Sequence, residues 1–260
     1  MRDFIEPDRS TMPTHASLVL ISIAIGALVG AAGVGGFFMP PALVLLADMN
    51  IHDGMATSLF TFIFTGIAGA FYFQRKGSID WSLVHPVCLG AASTGFVGAW
   101  IGHHLSTAML SLVLAAVILG AGAYTLSSGS ARGVSRMPQD GRTRWLALAA
   151  VGAVTGFLSG LTGIGGPALS VPLMVFCGYS VLTAIGVGQL LQIVGALSGT
   201  LANVHYFRID YALAAFIAVF EIVGVLCGAF IIHRIDGALI KRLVGGLCLV
   251  AGCTFILRTL

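Results

Sequence analysis

The chain has 260 residues, of which 57% are apolar and only 9% charged, with a formal net charge of +3, and its mean hydropathy is +0.99. Soluble domains carry about 25% charged residues, so the bilayer is the solvent for this chain and a soluble enzyme or a nucleic-acid-binding domain is excluded. The five cysteines form no CxxC pair and lie mostly inside apolar runs, which points away from a disulfide framework or a metal site.

In chain order, Met1 to His15 is polar and mixed in sign, with Arg2, Asp3, Glu6, Asp8 and Arg9. Acids among the arginines make a poor signal-peptide start, so a short retained tail is expected. Residues 16–47 are apolar throughout. As one helix they would measure about 48 Å, too long for a hydrocarbon core of about 30 Å. A glycine cluster inside the run fits a helix that breaks partway and returns as a re-entrant hairpin, or two short helices. Asp48 to Gly54 is a polar loop. Full spans are expected at 55–73, 82–101 and 107–126. Residues 127–144 read as a linker, rich in Ser and Gly and carrying Arg132, Arg136, Arg142 and Arg144. The pattern then restarts at 145–177, 181–207, 211–232 and 239–257.

The restart is a repeat. Adding 130 to Gly26, Gly30, Gly33, Gly35 and Gly36 gives Gly156, Gly160, Gly163, Gly165 and Gly166. The same offset pairs Gly69 with Gly199, Ile79-Asp80 with Ile209-Asp210, Gly98-Ala99 with Gly228-Ala229, and His103 with His233. The layout is therefore a tail (1–15), a first transmembrane repeat (16–126), the linker (127–144) and a second repeat (145–260). The expected fold is all-α and polytopic, each repeat holding one Gly-rich broken hairpin plus three full spans. Under the positive-inside rule, Arg75 and Lys76 make the loop at 74–81 cytoplasmic, and the arginines place the linker there too. The equivalent of the first loop, around 204–211, holds Arg208 and Asp210 and falls outside. Equivalent loops on opposite sides mean inverted repeats, with both termini external.

The duplicated motif G-x3-G-x2-G-x-G-G followed by proline, in Gly26–Pro40 and Gly156–Pro172, together with length and the two-half layout, resembles the TauE/SafE family of sulfite exporters, within the toluene-sulfonate uptake permease superfamily. The likeness covers residues 16–258. The second copy departs from the first in having Pro167 directly after Gly166, which suggests a sharper break. The resemblance implies transport of sulfite or an organosulfonate such as sulfoacetate across a bacterial plasma (inner) membrane. It also fixes the partners expected: a small anion and membrane lipid.

Such a substrate is an oxyanion, and helices restarting after the breaks would offer it backbone N–H groups and a positive dipole end. The candidate binding residues are Gly33, Val34, Gly35 and Gly36 with Gly163, Ile164, Gly165 and Gly166. The competing reading is that the glycines serve close helix packing, which is favoured for Gly98/Gly102 and Gly224/Gly228. Thr57, Ser58 and Thr61 follow the first break; Gln189 and Gln192, spaced i, i+3 on one face, follow the second. They join the candidate set, against a role in helix-to-helix hydrogen bonding. Glu221 is the one acid near the centre of an apolar run, where a charge is costly. It either carries a coupling proton or forms a structural hydrogen bond, and its repeat partner is Ala91. His103 and His233 suit interfacial anchoring. No G-x4-G-K-[ST] motif is present, and no cofactor or metal is expected. Two rivals remain open: an anion channel on the same scaffold, and an intramembrane serine hydrolase, for which Ser198 and His205 would be the nearest pair. Oligomeric state is not addressed by the sequence.

Overall fold

The computed structural model describes residues 11–127 and 140–234, together with Gly246, Leu249 and Cys253; the last expected span, 239–257, otherwise lies outside the described residues. The first half comprises α1 (Thr11–Ala32), a one-turn 3-10 helix (Gly36–Phe38), α2 (Met39–Leu46), α3 (Ile51–Arg75), α4 (Trp81–His104) and α5 (Thr107–Ser127). The second comprises α6 (Gly141–Thr162), α7 (Pro167–Phe176), α8 (Val181–Tyr206) and α9 (Tyr211–Ile232). The starts of α1, α3 and α4 recur at the offset of 130 in α6, α8 and α9, while α7 starts two residues ahead of the register of α2; the caps of α3 and α4 recur as well. Asn50 and Ser180 accept from the N–H groups of Asp53 and Thr183, and Asp80 and Asp210 from those of Ser82 and Leu213. Each satisfies a donor that the first helical turn cannot.

Among the described residues, α3, α4, α6, α8 and α9 are long and apolar enough to cross a membrane. Three boundaries fall earlier than composition suggested: α3 begins at Ile51, inside the expected polar loop of 48–54, because Asn50 caps it through Asp53 N–H. Helix α1 begins at Thr11, inside the expected tail, and α6 at Gly141, inside the expected linker, where Asp140 caps it through Thr143 N–H at 3.1 Å. The arms of each hairpin are therefore unequal: 22 residues going in and 8 or 10 coming back. The long arm of the second hairpin reaches Gly102, near the end of α4, before the chain turns.

Packing is exchanged between the halves. Helix α1 lies along α9, and α4 along α6. On α1, a methyl at Gly26 would overlap the Glu221 carbonyl and one at Gly30 the Val225 carbonyl. Contacts that advance together along both chains mean parallel helices. The pair α4/α6 behaves the same way, with Gly156 against Ala91 and Gly160 against Gly95. Helices α3 and α8 run oppositely, since Leu59 meets Gly199 while Gly69 meets Gln189. Gly26, Gly30, Gly156 and Gly160 are thus packing glycines whose missing side chains let backbones touch. Gly98, Gly224 and Gly228 do the same against Phe157, Ile23 and Ala27.

Hydrogen bonds across the helix ends define two faces. On one, Ser78 meets His233 at 3.1 Å and Arg144 donates to the Tyr179 hydroxyl at 3.1 Å. On the other, His52 donates to Leu105 O at 3.3 Å, Arg208 N–H donates to Asp53 at 2.9 Å, and His103 stacks on Tyr206 at 4.3 Å. His103 and His233 thus each seal a helix end against a loop of the other half. The first face carries Arg75, Lys76, Arg142, Arg144 and Arg234; the second carries Arg208 as its one described Lys or Arg. Arg75 and Arg234 lie over Phe71 and Phe230 at 4.3 and 4.2 Å, as expected of cations snorkelling at an interface. This sorting predicts that cysteines placed at Ser78 and Arg208, in a background without native thiols, react with an impermeant maleimide from opposite sides of the membrane. Labelling of both from one side would contradict the arrangement.

Candidate functional site

Both broken segments are interrupted by the last three glycines of each motif. Helix α1 closes with Gly33 N–H donating to Val29 O at 3.0 Å, and α6 with Gly163 N–H donating to Ser159 O at 2.8 Å. Gly33 and Gly163 then take φ of 69° and 66°, the left-handed conformation in which a Cβ is strained. The second break adds Gly165 at φ 86°, where Gly35 is extended at −179°. Pro167 opens α7 directly behind it, whereas a 3-10 turn separates the first break from α2.

The two breaks meet. A methyl on Gly36 would overlap the Ile164 carbonyl and crowd the Phe62 ring, and one on Gly165 would press on that same ring at 3.1 Å. Val34, Phe37, Ile164 and Ala168 pack in one cluster with Met55 and Leu161. Phe37 and Ile164 have no exposed surface, so unwound backbone from both halves is sealed inside protein. That is the condition under which irregular backbone persists at membrane depth.

Each break is pinned by the other half. The Ser58 hydroxyl on α3 reaches Gly163 O at 3.0 Å. The Gln189 amide on α8 donates to Val29 O at 3.4 Å, the carbonyl that also accepts from Gly33. Gln192 donates to Phe62 O at 3.0 Å and to the Thr65 hydroxyl at 2.8 Å, a helix-to-helix tie beside Gly166. Thr57, Ser58, Thr61, Gln189 and Gln192 are all buried, yet they do not converge on one point. Thr57 sits toward the Arg208 face, accepting from Asp210 N–H at 3.4 Å.

Glu221 lies about halfway along α9 and is 1% exposed, and neither carboxyl oxygen has a hydrogen-bond partner. Its backbone lies against Gly26 of α1. The Thr61 hydroxyl of α3 donates to Ser58 O at 2.8 Å and so belongs with the support of the second break. Glu221, packed behind α1, lies outside the paired breaks. Other buried acceptors stand unused: the Gln189 carbonyl oxygen and the hydroxyls of Ser159, Ser170 and Thr200. Ser159 and Thr162 before the second break and Ser170 after it are buried polar residues that the sequence reading missed; of these Ser170 carried a signal. It is the one polar side chain in the short arm α7, and that was the signal available. Ser198 is committed elsewhere, donating to Ala92 O at 2.8 Å and accepting from Phe96 N–H at 2.9 Å. His205 lies seven residues, or about 10 Å of helix, further on, so the two do not form a nucleophile–base pair.

Apolar spans, two interrupted helices in contact, and a partnerless acid at membrane depth define a polytopic membrane transporter. The chain matches the sulfite exporter TauE/SafE family over residues 18–255 and belongs to that family. It is similar to the "Probable membrane transporter protein YdhB" of Bacillus subtilis, at 29% identity over 82% of this chain and 87% of that protein. It is also similar to "Probable membrane transporter protein MJ0441" of Methanocaldococcus jannaschii, at 27% over 75% and 79%. A third relative is "Probable membrane transporter protein YjnA" of B. subtilis, at 24% over 92% and 99%. No solved structure matches the chain.

Two glycines with the same backbone angle separate conformational strain from site packing. Gly77 has φ 67° and open space around it, whereas Gly163 has φ 66° and abuts the Met55 backbone. Gly77→Ala is expected to cost about 1–2 kcal/mol, from the left-handed conformation alone, and to leave transport intact. Gly163→Ala adds the overlap and the disturbed bond from Ser58, so it should lower the unfolding midpoint further and reduce transport. Thermal unfolding in detergent and flux in vesicles, from one preparation of each variant, check both.

Proposed function

We propose that the protein is a secondary transporter that exports a small sulfur oxyanion, sulfite or an organosulfonate such as sulfoacetate, across the plasma (inner) membrane, with a proton carried by Glu221. The observation that carries this reading is the contact between the two breaks at Gly36 and Ile164. The family supplies the substrate class. The breaks supply a means of holding an anion without a buried Lys or Arg: every described basic residue lies at a helix end or in a loop. Prolines 40, 41 and 167 remove donors from the first turns. The available N–H groups are therefore those of Gly36 and Phe37 on one side and of Gly165, Gly166 and Ala168 on the other. Aligned with two helix dipoles, they suit an oxyanion.

In this reading the halves are inverted repeats. The face with Arg75, Lys76 and the linker is cytoplasmic, and both ends of the first hairpin are external. Support comes from the recurring element register and from α3 running opposite to α8, its equivalent. Substrate parts the two breaks, and the packing exchanged between the halves turns that separation into access on alternate sides. Glu221 lies beside Gly26 on α1, so its proton and the position of the first hairpin are mechanically linked.

Flux of sulfite and sulfoacetate in proteoliposomes tests the assignment. A carrier saturates and exchanges internal for external substrate, whereas a channel does neither. Glu221→Gln keeps shape and hydrogen-bonding capacity while removing the titratable group. Substrate exchange is expected to continue, whereas accumulation driven by a pH gradient is lost. Full pH-driven accumulation by this variant would end the coupling proposal.

A further inference from the structure

A second polar feature lies outside the paired breaks. Under the face that carries Arg208, a cavity of about 10 Å³ opens between α3, α4, α6 and α8, room for about one water-sized sphere. His52 and Phe207, from the Arg208 face, line it with Gly102, Leu161 and Met55, and the Met55 backbone also lies against Gly163. Asn203 of α8 also lines it. That side chain is 3% exposed, and it lines this cavity together with Gly160 and Leu161, which lead into the second break. A buried amide needs a hydrogen-bond partner, and here its polar end adjoins a space that can hold one.

The repeat supplies a built-in comparison. Subtracting or adding 130 carries Asn203 to Phe73, His52 to Leu182, Met55 to Ile185, Gly102 to Ile232 and Leu161 to Ala31. On the opposite face these residues form a packed apolar cluster in which Phe73 has no exposed surface. The same register is therefore solid on the Arg75 face and hollow and polar on the Arg208 face. Packing alone does not call for this difference, because Phe73 shows what fills the position when nothing needs to pass.

We propose that this cavity is the outer port of the anion path, and that Asn203 is the residue that selects an oxyanion there by donating its amide N–H groups. The proposal rests on the transporter reading above and deepens it, placing a subsite between the outer face and the break at Gly163. His52, which donates to Leu105 O and packs on Phe207 at 5.1 Å, holds the rim narrow; the port widens when those contacts part.

The test uses the full chain in proteoliposomes. Asn203→Leu is expected to cut sulfite flux roughly tenfold, the loss of one hydrogen bond to a charged group, with the unfolding midpoint unchanged or raised. Asn203→Cys, in a background without native thiols, is expected to react with an anionic methanethiosulfonate from outside, more slowly when sulfoacetate is present. Wild-type flux in Asn203→Leu overturns the proposal, as does modification of Asn203→Cys from the inside alone or from neither side. Should the unsubstituted protein carry no oxyanion while Asn203→Cys still reacts from outside, it is the substrate assignment that fails and the port that stands.

Discussion

Hydrocarbon offers no hydrogen-bond partner to an unwound backbone, and this constraint organises the molecule. The chain leaves helical geometry at 33–36 and again at 163–166, and neither stretch can face lipid. Each is covered by the other half: Ser58 serves Gly163 and the Phe62 ring covers Gly165, while Gln189 serves Val29 and Ile164 lies on Gly36. Cover is mutual, so the site exists only where the two halves join. Separating them by any distance exposes carbonyls on both sides at once.

The motif glycines divide by role. Gly26, Gly30, Gly156 and Gly160 let helices touch backbone to backbone, Gly33, Gly163 and Gly165 turn the chain through positive φ, and Gly36 and Gly166 admit Ile164 and Leu191 where a side chain would stand. The packing glycines lie one to three turns before the turning ones on the same helix. A movement of α9 against α1 therefore reaches the first break through rigid helix, without passing through side chains that could absorb it. Gly36 and Gly165 meet the same Phe62 ring, so a shift in either break displaces the other.

Much of this was legible in the sequence. The offset of 130 located both breaks and paired Asp80 with Asp210, although their role as helix caps, like that of Asn50 and Ser180, emerges only from the structure. Glu221 was singled out by its isolation in an apolar run, but whether its carboxyl would meet a hydrogen-bond partner on a neighbouring helix was not readable there, because that depends on which helices pack against α9. The division of the glycines was not legible, because packing and turning both ask for the absence of a side chain. The long inward arm was hidden by Arg142 and Arg144, which composition reads as linker although Asp140 caps a helix there. The partners of Gln189 and Gln192 were not readable either. Near-uniform hydrophobicity removes the periodicity that assigns a helix face, and their acceptors, Val29 and Phe62, are backbone carbonyls far away in the chain.

The exchanged packing also has a consequence for how the protein is made. Helix α1 starts at Thr11 and its parallel partner α9 at Tyr211. Chains elongate at about 5–20 residues per second, so α1 waits roughly 10–40 s before the surface that covers Gly26 and Gly30 is synthesised. The polar backbone after Ala32 waits almost as long for Gln189. During that interval the first hairpin has α3 as its lasting neighbour, through Met39 and Leu43 against Leu59 and Phe62, but neither α9 nor α8. The later half therefore assembles onto a hairpin already held from one side, and completes its cover from the other.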